Sequence, residues 1–212
     1  MMMPILSMGS PRARCVVLHS GRRVDLTDPP EELLIADLFR RLSHWTADPS
    51  AFGFYSMAQR TALLAEGCAR RWGGPEAGLH AIAMAMPFAL VGSVEPELFW
   101  ALGCEQPSFS PIYTRMLLIA HKLLGLDWPM RPSVGVAVSE CLPRLRLAEL
   151  RCLRRGVEPE IAALEADGHT PLMPKINPQC SADAQDRLES VATNLLLQAG
   201  RPRTPLWQGV RT

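Results

Sequence analysis

The sequence predicts an all-α domain that carries a small β-hairpin near its N-terminus. Apolar residues make up 48% of the 212 residues, which suffices for one helical core without a disulfide or a metal. Apolar side chains recur at helical spacing along most of the chain, and Gly or Pro separates the successive segments. Only Cys15–His19 and Arg23–Leu26 differ, since they flank a Ser-Gly-Arg turn and are typical of two short strands.

Caps and helix breakers predict the order of about eight helices. The first helix begins at Asp28-Pro29-Pro30 and buries Leu34, Leu38, Leu42 and Trp45. The second is capped by Ser56 and ends at Gly73-Gly74. The third runs from Pro75 to about Leu90, and Pro87 kinks or shortens it. The others are Glu97–Leu102, a helix from Ser110-Pro111 to Gly125, Pro132–Leu142, Pro143–Arg154, Pro159–Ala166, and a last helix capped by Ser181.

The predicted domain organisation is simple. Residues 1–12 are expected to be a flexible N-terminus, residues 13–199 one helical domain, and residues 200–212 a C-terminal tail. Met1–Ser10 lacks the basic and apolar regions of a signal peptide. The longest apolar run, Ala81–Val91, has eleven residues and is too short to cross a bilayer.

Charge and cysteine usage narrow the classes of partner. The chain has 22 basic and 21 acidic residues, and a net charge of +1 gives no long-range attraction to nucleic acid or to an anionic membrane. The six cysteines form no C-x-x-C motif, and no two histidines have metal-ligand spacing. We therefore expect free thiols in a reducing cytoplasm, no metal and no cofactor.

Four stretches follow one another in an order that resembles a known family. They are SGRRVDLTDP (Ser20–Pro29), FYSMAQRTALLAE (Phe54–Glu66), FALVGSVEPEL (Phe88–Leu98) and PKINPQCSADAQDRL (Pro174–Leu188). Together they resemble the HD-domain phosphohydrolases, in the bacterial branch similar to 5′-deoxynucleotidases. The resemblance covers roughly Leu18–Leu197 and implies an HD-like helical bundle.

The resemblance also implies a metal site, and this chain departs from it. The family binds divalent metal through His, a His-Asp pair and a distant Asp, because a metal-bound hydroxide attacks the phosphoester. The matching positions carry Arg40, Arg60, Met84, Ala85, Ser93 and Val138. Arginine and apolar side chains cannot bind the metal, and no His or Asp occurs from Ala81 to Gly103. These substitutions indicate a metal site that has been lost.

Three residues are candidates for ligand binding. Arg60 lies on the flank of its helix, where its guanidinium either grips an anion or covers apolar neighbours at the surface. Arg40 points away from Leu34 and Leu38, so helical periodicity predicts exposure, with an anion clamp as the alternative. Glu66 is a carboxylate near the expected pocket. We expect the isolated His44, His80 and His121 to be structural.

The leading hypothesis is a pseudoenzyme that binds a small anionic or nucleotide-like ligand or a protein partner, without metal-dependent hydrolysis. One alternative is an active phosphohydrolase of nucleotide-like substrates, with a site rebuilt from Glu66, Glu140 or His80. A second is a structural or dimerising module, such as a homodimer, which an exposed apolar patch would favour.

Overall fold

The computed structural model describes residues 15–30, 32–92 and 109–201. Strands β1 (Cys15–Val17) and β2 (Arg23–Asp25) pair antiparallel, with Val16 opposite Val24. Gly21 closes the turn at φ 80°, a conformation that costs glycine little. The predicted hairpin is therefore confirmed.

The other regular elements of the described chain are helices. The helices are α1 (Ile35–His44), α2 (Met57–Cys68) continued by a π-helical turn (Ala69–Gly73), α3 (Gly74–Ala85), α4 (Phe88–Val91), α5 (Phe109–Leu123), α6 (Pro132–Leu153), α7 (Glu158–Ala166) and α8 (Ser181–Gln198). This confirms the all-α class with a small hairpin. Within the residues described, none of the helices is both long and apolar enough to span a bilayer.

Helix α2 lies at the centre of the bundle, where it packs against α1, α3, α6 and α8. A glycine makes one of these contacts close. A Cβ at Gly78 of α3 would lie 2.8 Å from the Ala65 carbonyl oxygen of α2 and 2.7 Å from Leu195 Cδ1 of α8. A larger residue there would push three helices apart, so Gly78 sets their spacing.

The start of α1 differs from the prediction. The helix begins at Ile35, and its N-cap Leu34 is extended, with φ −75° and ψ 119°. Pro30 disfavours the helical conformation in Pro29, and the helix begins only five residues after Pro30. Leu38 and Leu42 are buried as predicted, whereas Trp45 lies just beyond the helix and is 37% exposed.

The predicted break at Pro143 is wrong. Helix α6 runs without interruption from Pro132 to Leu153 with Pro143 inside it. Proline removes one backbone hydrogen bond, but a helix tolerates this where packing on both sides compensates. Cys141 and Leu145 are fully buried on either side of Pro143, so the core holds the two halves in one helix.

Local signals placed several other boundaries well. Ser56 caps α2, since its Oγ accepts a hydrogen bond from the Gln59 N–H at 3.1 Å. Pro87 ends the third helix, which stops at Ala85 before the short α4. The cap of α8 is Cys180 rather than Ser181, with its Sγ accepting from the Asp183 N–H.

Some predictions lie outside the described residues. They are the flexible N-terminus at residues 1–12, Ser93, the helix Glu97–Leu102, Cys104 and all but the first two residues of the tail 200–212.

Candidate functional site

A polar cleft of about 330 Å³ opens along one face of α2. One wall is lined by Gln59, Leu63, Glu66 and Arg70. Their spacing of three or four residues places them on the same side of a helix. The segment 173–179 forms the opposite wall, and Arg187 of α8 contributes from the side. The cleft therefore joins three parts of the chain that are far apart in sequence.

Gln59 fixes the wall that faces α2. Its side chain is 1% exposed, and both ends of its amide are used. The Nε2 atom donates to the Asn177 carbonyl oxygen at 2.6 Å, while Oε1 accepts from the Gln179 N–H at 3.0 Å. A buried amide with both ends paired holds a loop in one position. The mouth of the cleft is thus set by a rigid contact.

Glu66 lies in the cleft between two guanidinium groups. Its Oε2 accepts from Arg187 Nη2 at 3.1 Å and lies 3.5 Å from Arg70 Nη2. The Glu66 side chain is 28% exposed and that of Arg187 is 32% exposed, so water reaches both groups. Exposed pairs of this kind exchange readily because solvent competes for both partners.

The charged residues that line the cleft are mainly basic. Arg70, Lys175 and Arg187 carry positive charge, and Glu66 is the acidic residue among those lining it. Amide groups of Asn177 and Gln179 add polar atoms to the rim. A partly enclosed cavity with excess positive charge attracts small anions, and arginine can bind a phosphate or carboxylate with two parallel hydrogen bonds.

Arg60 lies apart from this cleft. Its Nε donates to Glu149 Oε1 of α6 at 2.9 Å, and the Glu149 side chain is 3% exposed. The Tyr55 hydroxyl donates to the same carboxylate oxygen at 3.0 Å. Arg60 is thus the ion-pair partner of a buried carboxylate, a contact that the sequence did not predict, and its own side chain is 28% exposed. We call Tyr55, Arg60 and Glu149 the buried triad.

The electrostatics of the buried triad follow from its burial. Burial, and next the Glu149 carboxylate, raise the pKa of Tyr55 well above its ordinary value. Burial lowers the pKa of Arg60, but the negative charge of Glu149 outweighs it, and the net pKa of Arg60 is raised. The triad therefore keeps a protonated tyrosine and a guanidinium around one carboxylate.

Among the described residues, the other positions that the sequence resemblance matches to metal ligands do not line the cleft. Arg40 is exposed on α1, as its periodicity predicts. Ala85 and Val138 are buried in the core, at 9% and 3% exposure. Met84 is half-buried, and its carbonyl oxygen accepts from the Tyr113 hydroxyl at 3.3 Å.

The three residues offered for the rebuilt-site alternative lie in different surroundings. Glu66 lines the cleft, whereas Glu140 is exposed on α6 and His80 is fully buried in α3. Over the described ranges, no group of three or more His, Cys, Asp or Glu side chains could hold a metal ion.

Sequence reasoning found Glu66 but missed the other charged residues of the cleft. Arg70 could have been found, because it continues the face of α2 that carries Gln59 and Glu66. Lys175 and Arg187 carried no such signal, since only the tertiary fold brings them to α2. No protein-family model matches the chain, and a search of curated proteins finds no match either.

Proposed function

We propose that this protein binds a small anionic ligand in the cleft between α2, the segment 173–179 and α8. The observation that carries the proposal is the set of basic side chains there: Arg70, Lys175 and Arg187 converge on one cavity with Glu66 as their acidic neighbour. A ligand with a phosphate or carboxylate group would replace Glu66 as the partner of the guanidinium groups.

The size of the cleft supports a small ligand. A volume of about 330 Å³ lies at the lower end of the range for small-molecule sites. It suits a ligand of the size of a sugar phosphate or a nucleoside monophosphate. The half-exposed Arg70–Glu66–Arg187 contacts favour exchange, because an exposed pair contributes only about 0–1 kcal/mol and an incoming anion has little to displace.

We further propose that the chain is a pseudoenzyme, an HD-like scaffold that has lost metal-dependent hydrolysis. The support is the chemistry at the positions that resemble the family's ligands. Arg60 is engaged by Glu149, and Ala85 and Val138 are core residues. None of these side chains offers a lone pair to a divalent metal.

Binding is tested by calorimetry with inorganic phosphate, ribose 5-phosphate and a deoxynucleoside monophosphate. Arg187→Ala should weaken binding of the best anion about tenfold, since it removes one charge-assisted contact. Arg151→Ala is the matched control, because Arg151 is exposed on α6, pairs with Glu165 and does not line the cleft. Equal affinities of the two variants, or no binding of any anion by the wild-type chain, would contradict the proposal.

The loss of hydrolysis has its own test. Metal analysis of the purified protein is combined with a phosphatase screen over deoxynucleoside monophosphates. We expect no stoichiometric metal and no turnover. Stoichiometric Mn, Co, Fe or Zn together with turnover would establish the enzyme alternative, even if anions also bind in the cleft.

A further inference from the structure

Two buried histidines contact each other on the side of α3 that faces α5. His80 and His121 are 0% and 1% exposed, and His121 Nε2 lies 3.1 Å from His80 Nδ1. The Trp128 ring packs on His121, with 4.7 Å between ring centroids. Neither histidine lines the anion cleft, so they raise a separate question about what this pair does.

The hydrogen bonds assign the protons of both rings. His121 Nδ1 lies 2.7 Å from the Leu117 carbonyl oxygen, which can only accept, so this nitrogen carries a hydrogen. In a neutral ring, His121 Nε2 is then an acceptor, and His80 Nδ1 must donate to it. His80 Nε2 is left with a lone pair.

That lone pair faces a carboxylate. His80 Nε2 is buried and has no hydrogen-bond partner within the described residues, and Glu76 Oε1 lies 3.8 Å from it. The other oxygen of Glu76 is bound by the Arg131 guanidinium. Two acceptors therefore face each other across a gap without a hydrogen between them.

The size and charge of the gap select what can fill it. A water that bridges two acceptors spans about 4.5 Å, which exceeds the 3.8 Å available. A metal ion would have two ligands there and would be repelled by Arg131, which shares the Glu76 carboxylate. A proton needs no space of its own, and it converts the gap into a charge-assisted hydrogen bond after a small approach.

We propose that the buried His80 Nε2 and the facing Glu76 carboxylate form a proton-binding site on α3, vacant at neutral pH and filled in acid. The charged and titratable groups around His80 come from several elements. They are Glu76 on α3 with Arg131 beside it, His121 on α5, Asp127 after α5 and Arg201 after α8.

The direction of the pH effect follows from these surroundings. Burial, then His121 and Arg201, lower the pKa of His80 to about 4, against a partial opposing effect of Asp127. The unfolded chain has the ordinary pKa of about 6.5 and so binds the proton first as the pH falls. The stability that His80 contributes is therefore complete above about pH 6.5 and is lost progressively as the pH falls towards 4.

Long-range proton–nitrogen NMR on the wild-type chain tests the proton assignment without any substitution. At pH 7 both histidines should carry their hydrogen on Nδ1, and His80 Nε2 should show the shift of an unprotonated nitrogen. A hydrogen on His80 Nε2 at pH 7 would overturn the proposal.

The role of Glu76 is tested by the same spectra as the pH is lowered. Glu76→Gln should lower the midpoint for protonation of His80 by about one pH unit, a tenfold loss of proton affinity, because the facing charge is gone. Glu165→Gln makes the same change at an exposed position on α7 and should leave the midpoint unchanged. An unchanged midpoint in Glu76→Gln would overturn the proposal.

Equilibrium unfolding measured between pH 7 and pH 5 gives the second readout. At pH 5, unfolding of the wild-type chain should take up about one proton more than unfolding of His80→Gln. His44→Gln is the control, because the His44 side chain is exposed on α1. Identical pH slopes for wild type and His80→Gln would contradict a proton-binding site at this position.

Discussion

Helix α2 carries two ion-pair clusters less than two turns apart, and they differ in how far water reaches the carboxylate. Arg60 pairs with Glu149 in the buried triad, where the carboxylate is 3% exposed and accepts from two donors. Glu66 pairs with Arg70 and Arg187 in the cleft, where the side chains are between 28% and 68% exposed. The carboxylate is thus buried in the first cluster and reached by water in the second, while the Arg60 side chain is itself 28% exposed.

The difference shows that burial decides whether a charged side chain must keep its partner or can lose it at little cost. A buried carboxylate is expensive to desolvate and must keep all its partners, so the triad holds α2 to α6 and is a poor place for a ligand. A half-exposed pair loses little when one partner leaves, which is why we propose that an anion replaces Glu66 in the cleft. Each of three substitutions tests one side of this comparison.

The largest effect is expected from Glu149→Ala. The change leaves the Arg60 guanidinium and the Tyr55 hydroxyl without their shared acceptor, and we expect a loss of about 3–5 kcal/mol in the free energy of unfolding. Urea denaturation measures it. Glu160→Ala is the control, since Glu160 pairs with Arg146 at 54% exposure and should change stability by less than about 1 kcal/mol. Similar losses in both variants would remove the distinction between buried and exposed pairs.

Tyr55→Phe should have an intermediate effect, about 1.5–3 kcal/mol, because it removes a hydrogen bond to a charged group. Tyr113→Phe, which removes a bond to the neutral Met84 carbonyl, should cost about 1 kcal/mol.

Alkaline pH adds a second readout for Tyr55. The pKa of Tyr55 is raised in the folded chain, so the unfolded chain loses its proton first and stability falls as the pH rises above about 10. Tyr55→Phe should remove part of this alkaline loss, and an unchanged alkaline slope would contradict the raised pKa.

The smallest change in stability is expected for Glu66→Gln, below about 1 kcal/mol. Its effect on binding should go the other way, with anion affinity raised about two- to fivefold because the competing carboxylate is neutralised. Calorimetry with inorganic phosphate measures this. A loss of affinity would indicate that Glu66 binds a cationic part of the ligand, and the cleft would then need a different occupant.

Proline shows where local sequence signals hold and where they fail. Pro87 ends α3 although Met86 and Ala89 beside it are buried, because proline has no N–H to continue the helical hydrogen bonds. Pro143 has the same intrinsic preference, yet α6 continues through it, with Cys141 and Leu145 buried on either side. Proline alone therefore did not predict the helix boundary.

The sequence by itself determined the all-α class, the hairpin at Gly21, the Ser56 cap and the buried face of α1 at Leu38 and Leu42. These features depend on residues within a turn or two of each other, where hydrogen bonding and periodicity are local. The resemblance to HD-domain phosphohydrolases stays a prediction.

Tertiary structure alone decided which charges meet. Arg60 pairs with Glu149, which is 89 residues away in sequence, and Glu66 pairs with Arg187, which is 121 residues away. The Glu149 carboxylate is buried, whereas the Glu66 carboxylate is partly exposed. Neither the partner nor the burial of a charge is encoded in its immediate neighbours, because both are set by how helices distant in sequence pack. Only the fold therefore decided that Arg60 pairs with a buried carboxylate and that Arg70 lines a cleft.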